Sequence, residues 1–351
     1  MSATIVLDDL IRSLDPLNAE TSVAALMGGV AMPTERFYAR NHFRIPALDP
    51  ATWRLDVGGL VQLPLRLRLR DLLAMPARSE VVTLECAGNG RSFLNPKVDG
   101  DQWQLGAVST AEWTGVALVD VLERAGIRSG GSEVLLRGAD AGAVKGRPGT
   151  TAFERSLTLD QARQCGAILA YAMNGEPLPL RHGCPLRAIV PGWYGAASVK
   201  WLTEIEVLDR PYHGYFQTEK YVYEWERDGH VIKEPVTLQR VRALITQPQP
   251  DQPIDPGDVA IRGLAWSGAA PIARVDVSVG GGPWQKARLL GTGSSHRWQR
   301  WEVIVHLRRS GPTTIRARAT DLAGHTQPER PEWNRLGYGS NAIQEIPLRL
   351  L

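Results

Sequence analysis

The chain has 351 residues, 43% of them apolar, enough for one large domain or two ordinary ones with buried cores. Its 40 basic and 37 acidic side chains are interspersed and leave a formal charge of +3, which excludes a polybasic nucleic-acid arm or membrane patch and permits only local positive sites. The longest uncharged apolar run, residues 23–33, is broken by Gly28 and Gly29 and falls far short of the ~20 residues a membrane helix needs, so no membrane insertion is expected.

Residues 1–20 carry three Asp and one Glu, without a secretory or twin-arginine pattern, and predict a helical arm on a cytoplasmic protein. Stretches 53–60 and 63–73 predict a strand, a turn, and a second strand or helix; Arg66, Arg68 and Arg70 alternate with leucines, so one face is wet. Residues 81–85 are short and rich in β-branched side chains, the pattern of a buried strand, and end abruptly at Cys86-Ala-Gly-Asn-Gly-Arg91. Over 112–125, Val116, Leu118, Val119 and Leu122 fall at helical spacing closed by Gly126. Thr158-Leu-Asp-Gln161 offers a capping box, and 168–173 followed by Asn174-Gly175 predicts one arm of a hairpin. An α+β domain over 1–235 is therefore expected. Beyond it, short alternating runs at 273–279, 301–307 and 313–320, separated by turns such as Gly280-Gly-Gly-Pro283, predict an all-β, immunoglobulin-like sandwich over 236–351.

The three cysteines, Cys86, Cys165 and Cys184, are odd in number and widely spaced, which argues against a disulfide framework or a C-x-x-C metal or haem site and for reduced thiols. Cys86 sits on a loop of small residues with Arg91 close behind, a setting that favours thiolate and leaves room for a bulky partner. A core cysteine at a strand end explains the same segment. A second cluster, Arg181-His-Gly-Cys-Pro-Leu-Arg187 with Lys200 beyond a turn-prone stretch, places cations on a rigid backbone and suits a phosphate or other polyanion. Taken singly, His182 reads as structural and Arg40-Asn41-His42 as a polar loop.

Several motifs occur together and in order: Tyr38-Ala-Arg-Asn-His42, Glu85-Cys-Ala-Gly-Asn-Gly-Arg-Ser92, Gly106-Ala-Val-Ser-Thr-Ala-Glu-Trp-Thr-Gly115, Tyr171-Ala-Met-Asn-Gly-Glu-Pro-Leu-Pro179 and His182-Gly-Cys-Pro-Leu-Arg187. Val190-Pro-Gly192, Ser198-Val-Lys-Trp-Leu202, Trp333-Asn334 and Ser340-Asn341 follow. With them the chain resembles the sulfite oxidase family of molybdopterin enzymes over almost its whole length. The resemblance implies that family's mixed α/β cofactor domain followed by a sandwich that forms a homodimer. It implies molybdenum held by a pterin dithiolene and by Cys86 as the single protein ligand, a soft thiolate suited to a sulfur-ligated metal. Tyr38, Arg40, Asn41, His42, Asp140, His182, Arg187, Ser198, Val199 and Lys200 match the segments that hold the pterin and its phosphate.

On the substrate side, Arg40, Arg91, Trp103 and Tyr221 match the pocket for a sulfite-sized anion. The implied reaction is oxidation of sulfite to sulfate by oxygen-atom transfer, with electrons passed to an external acceptor such as a cytochrome and no haem in this chain. Two departures bear on the substrate. Lys220 stands where the tyrosine usually has an acidic neighbour. Leu336 stands two residues after the Trp-Asn pair, where eukaryotic sulfite oxidases place an arginine and plant nitrate reductases an apolar residue. Alternatives are a molybdopterin-dependent reductase of a sulfoxide, nitrate or similar oxo-donor, a metal-free thiol enzyme pairing Cys86 with His42 or His182, and a binding module built on the sandwich.

Overall fold

In a computed structural model, which describes residues 9–250, 252–307 and 310–351, the N-terminal arm is extended where a helix was expected. Strands Asp9–Leu14 and Leu17–Thr21 form an antiparallel hairpin; the predicted helix over residues 1–8 lies outside the described residues. The cause is a distant one. Glu20 is fully buried, and its carboxylate accepts the backbone N–H groups of Gln104 and Gly106, each at 2.9 Å. Glu20 also pairs with Arg12. These long-range, charge-assisted hydrogen bonds outweigh a local helical preference. The approach is close enough to require glycine at 106, where a Cβ would lie 1.7 Å from the Thr21 carbonyl oxygen.

Two sheets build the first part. One is antiparallel, ordered Glu176–Pro177, Ile168–Met173, Val108–Ala117, Arg78–Glu85, with Arg187–Ile189 also pairing against Ile168–Met173. The other runs Leu65–Leu67, Leu55–Gly59, Leu202–Leu208, Glu133–Gly142, Thr151–Thr158. Residues 112–117, expected to be helical, belong to the strand Val108–Ala117, and the helix covers only Leu118–Ala125. Pairing on both sides, with Arg78–Glu85 and Ile168–Met173, satisfies that backbone as a central strand, and Trp113 and Val116 reach the core from it. The short helices form where local chemistry alone suffices: Leu159–Gln164 carries the capping box of Thr158 and Gln161. Asn174 and Gly175 turn the Ile168–Met173 hairpin with φ of 53° and 81°.

Residues Val116, Leu118, Leu122, Val134, Leu136 and Ile205 meet in one apolar core between the sheets. Val82, Leu84, Trp113, Ile168 and Ile189 form a second, which contains Cys86 and Trp103. The strand Arg78–Glu85 is wet at its start and buried at its end, so it delivers Cys86 into the interior.

The later residues form two further sheets around one core. A four-stranded sheet orders Arg242–Gln247, Gly257–Trp266, Gln299–Leu307 and Arg288–Leu290; a five-stranded one orders Pro253–Ile254, Gln344–Leu350, Gly311–Asp321, Ile272–Val279 and Gln285–Lys286. Ile245, Ile261 and Trp301 of the first meet Val275, Ile315 and Ile346 of the second. The protein is thus α+β, mostly strand, with an all-β second part. Among the described residues no helix is long and apolar enough to cross a membrane.

Candidate active site

Cys86 leaves the buried end of Arg78–Glu85 and enters a turn tied on both sides: its N–H donates to the Ala107 carbonyl and its own carbonyl accepts the Asn89 N–H, both at 2.8 Å. The residue before it anchors the strand. Glu85 accepts from Arg242 at 2.7 Å, from Asn89 Nδ2 at 2.9 Å and from Trp266 Nε1 at 2.9 Å. Arg242 and Trp266 come from the β-sandwich, so that unit clamps the loop that presents the thiol. A buried ion pair is tolerable only with such added hydrogen bonds. Gly90, in the left-handed region at φ 84°, completes the turn, where a Cβ would meet the Arg242 guanidinium at 2.7 Å.

Two cavities open on either side of Cys86. The inner one, about 630 Å³, is lined by Tyr38, Arg40, Asn41, His42, Asp140, His182, Arg187, Ser198 and Lys200 with Cys86 itself. Val199, between two of these, does not line it: its side chain lies in the apolar core and its carbonyl accepts the Ala188 N–H at 2.8 Å. The outer one, about 1080 Å³, is lined by Arg40, Arg91, Trp103, Tyr221 and Cys86. Apart from Val199, the residues singled out in the sequence therefore converge on one thiol from segments far apart in the chain.

In the inner cavity the cations are immobilised. Arg187 donates to the carbonyls of His182 at 2.9 Å and Ser198 at 3.2 Å and stacks over Trp113. Lys200 donates to Asn41 Oδ1 and to the Arg181 carbonyl at 3.2 Å. Burial pulls Arg187 down to about 10 and Lys200 well below its usual range. It pushes Asp140 up to about 6, against the pull of Lys200. Asp140 Oδ1 and Arg187 Nε are buried without a hydrogen-bond partner, a cost left for a ligand to offset. His42 and His182 are both held neutral, first by burial and then by Arg40 and Arg181 respectively. His182 approaches the Thr34 carbonyl at 3.2 Å, and His42 Nε2 is hydrogen-bonded to the Tyr221 hydroxyl at 2.7 Å. Among the described residues neither ring is hydrogen-bonded to Cys86, so no Cys–His pair is built.

The outer cavity is lined by side chains of both charges. Arg91 donates to the carbonyls of Asp101 at 2.9 Å and Leu336 at 3.2 Å, lies over the Tyr338 ring, and has its buried Nε unused; Trp103 Nε1 is likewise buried and unused. Arg40 approaches Asp101 at 3.7 Å. Arg335 and Leu336 both line this cavity, with the Arg335 guanidinium held in a two-point ion pair with Glu224, at 2.6 and 2.8 Å. Tyr338, stacked on Tyr221 with ring centroids 5.3 Å apart and raised by burial to about 12, escaped the sequence reading, as did Asp101 and Arg242. Their partners lie too far off in the chain for any local pattern to mark them. One expectation is corrected: the Cys86 thiol is pushed up by burial, with Arg40, Arg91 and the Gly88 N–H opposing. A thiolate here needs a further positive partner.

The family matches place this fold among the molybdopterin-binding oxidoreductases. The family described as "Oxidoreductase molybdopterin binding domain" matches residues 42–216, and "Mo-co oxidoreductase dimerisation domain" matches residues 234–350. The chain is 36% identical to the mitochondrial sulfite oxidase of Rattus norvegicus over 97% of its length, and 33% identical to the sulfite oxidase of Arabidopsis thaliana, again over 97%. It spans 65% of the rat enzyme and 93% of the Arabidopsis one. Among solved structures it matches the sulfane dehydrogenase SoxCD of Paracoccus pantotrophus with a TM-score of 0.84 at 30% identity, over 95% of this chain and 84% of that one. The chain belongs to the sulfite oxidase family of molybdopterin enzymes.

The residues present fit that cofactor. Among the described residues no three His, Cys, Asp or Glu side chains converge as a metal cage, so the soft donor on offer is Cys86, and a metal here must bring its other ligands with it. A pterin dithiolene does so. The unused Asp140 and Arg187 atoms and the Lys200 ammonium would be the groups to hold its polar edge and phosphate.

Proposed function

We propose that the protein oxidises sulfite to sulfate, with Cys86 as the protein ligand of a molybdenum cofactor. The reading rests on one observation: the buried Cys86 thiol, with Arg40, His42 and Tyr221, lines both an inner cavity that holds Arg187 and Lys200 and a mouth lined by Arg40, Arg91 and Arg335. When bound, the cofactor supplies the two-electron oxygen-atom transfer and the metal charge that makes the Cys86 thiolate favourable. Arg187, Lys200, His182 and Asp140 hold the pterin and its phosphate. Arg40 and Arg91 capture the anion, with Trp103 Nε1 as a further donor and Tyr221 oriented by neutral His42. Fork-shaped guanidinium donors suit an oxyanion better than a point charge does. Electrons leave to an external acceptor such as a cytochrome. The sandwich, which we read as immunoglobulin-like, forms a homodimer.

Molybdenum per chain, measured together with sulfite-dependent reduction of cytochrome c, tests this reading. One metal per chain with rapid reduction supports it; a loaded protein inert to sulfite defeats it. A second reading, a reductase of a sulfoxide or nitrate, is favoured by the apolar Leu336 side chain at the mouth and by the commitment of Arg335 to Glu224. Turnover of those acceptors with reduced dye, exceeding turnover with sulfite, supports it.

A further inference from the structure

One cation at the mouth has no task in the account above. Lys220 ends the π-helical turn Phe216–Lys220, directly before Tyr221, and lines the outer cavity with Arg40, Arg91 and Cys86. The other cations there are all committed. Arg91 is held by two carbonyls, Arg40 lies against Asp101, Arg335 is bound to Glu224, and Lys97 donates to the Ser92 carbonyl at 3.1 Å. Lys220 makes no hydrogen bond or ion pair among the described residues. It is nevertheless partly buried, and burial, Arg40 and Arg91 together push it below its usual range. Asp101 opposes that shift, but an ammonium kept partly buried in the field of Arg40, Arg91 and Arg335 is still costly, and an anion entering the cavity lowers that cost.

We propose that Lys220 is the third anion-binding cation of the mouth and contacts the oxyanion substrate directly, favouring it over neutral oxo-donors. This rests on the reading of the mouth as a sulfite site. Lysine suits the task because its ammonium is a point charge on a flexible stem and can meet an exchanging anion that the fixed forks of Arg40 and Arg91 already orient. Facing the same cavity, Leu336 adds no charge, so the third positive contribution comes from the turn before Tyr221.

The test compares Lys220→Met and Lys220→Arg in the molybdenum-loaded protein, with sulfate as a non-reacting probe. Lys220→Met should raise the KM for sulfite and weaken calorimetric sulfate binding, each about tenfold, with kcat little changed and the salt dependence of kcat/KM reduced. Lys220→Arg should restore both. Unchanged KM and unchanged sulfate affinity in Lys220→Met overturn the proposal, as does a fall in kcat alone that Lys220→Arg fails to rescue. If the wild type does not oxidise sulfite at all, the functional reading fails separately. Sulfate affinity of wild type against Lys220→Met then still decides the role of Lys220.

Discussion

The inner cavity and the outer mouth share Cys86, Arg40, His42 and Tyr221, yet they differ in how firmly their charged groups are held. Inside, Arg187 and Lys200 are held by backbone carbonyls and Asn41, and burial shifts both them and Asp140 toward neutrality. Outside, Arg91 and Trp103 keep buried donors unused, and Lys220 faces the cavity with only the Asp101 carboxylate to oppose burial and the neighbouring arginines. A group bound for the life of the protein is best met by fixed, pre-organised partners, because the ordering cost falls once, on folding. A substrate that must enter and leave as an anion is better met by spare positive charge and spare donors. The wall between the two, the Cys86 turn, is held by neither cavity but by Glu85 and the sandwich residues Arg242 and Trp266.

The largest expected effect breaks the shared wall. Cys86→Ser should lose molybdenum and lower sulfite turnover by on the order of 10³-fold, about 4 kcal/mol of barrier; full activity with the metal retained would show that the cavities are not joined through this thiol. Arg242→Met leaves the Glu85 carboxylate buried with no cation. Denaturant unfolding should show a loss of about 3–5 kcal/mol, and an unchanged midpoint would detach the sandwich from the site.

Inside, Asp140 contributes stability that is present below about pH 4 and lost as pH rises through its folded value of about 6, since the folded state then holds a proton the unfolded chain has released. Relative to wild-type apoprotein, Asp140→Asn should therefore gain stability as pH rises between those values. Parallel curves across that range would mean that Asp140 is not desolvated. Outside, Arg91→Gln should raise the KM for sulfite about tenfold, near 1.4 kcal/mol, with a smaller change in kcat. An equal fall in kcat with constant KM would move Arg91 from anion capture to the reacting step.

Elements closed by neighbouring residues were legible from the sequence. The Thr158–Gln161 capping box and the Asn174-Gly175 turn each need only a few positions of chain. The N-terminal hairpin was not, because the backbone groups that hold Glu20 in place belong to Gln104 and Gly106. Nor was the strand character of 112–117, where the helical spacing of apolar residues is real but pairing on two sides takes precedence. At the site, Cys86, Arg40 and Arg91 stand in recognisable motifs and Lys220 beside Tyr221 in one, whereas Tyr338 and Arg242 join it only through the folded chain.

The sequence by itself determined which chemical groups this protein owns: a thiol on a small-residue loop, arginines and a lysine in ordered motifs, and the alternation that makes a β-sandwich. Their electrostatic state was decided only by the tertiary structure. Burial raised the Cys86 thiol and Asp140, lowered Lys200 and Arg187, and kept His42 and His182 neutral. The reason is that charge energy depends on the surrounding dielectric and on neighbours in space, and both come into being when distant segments close around Cys86.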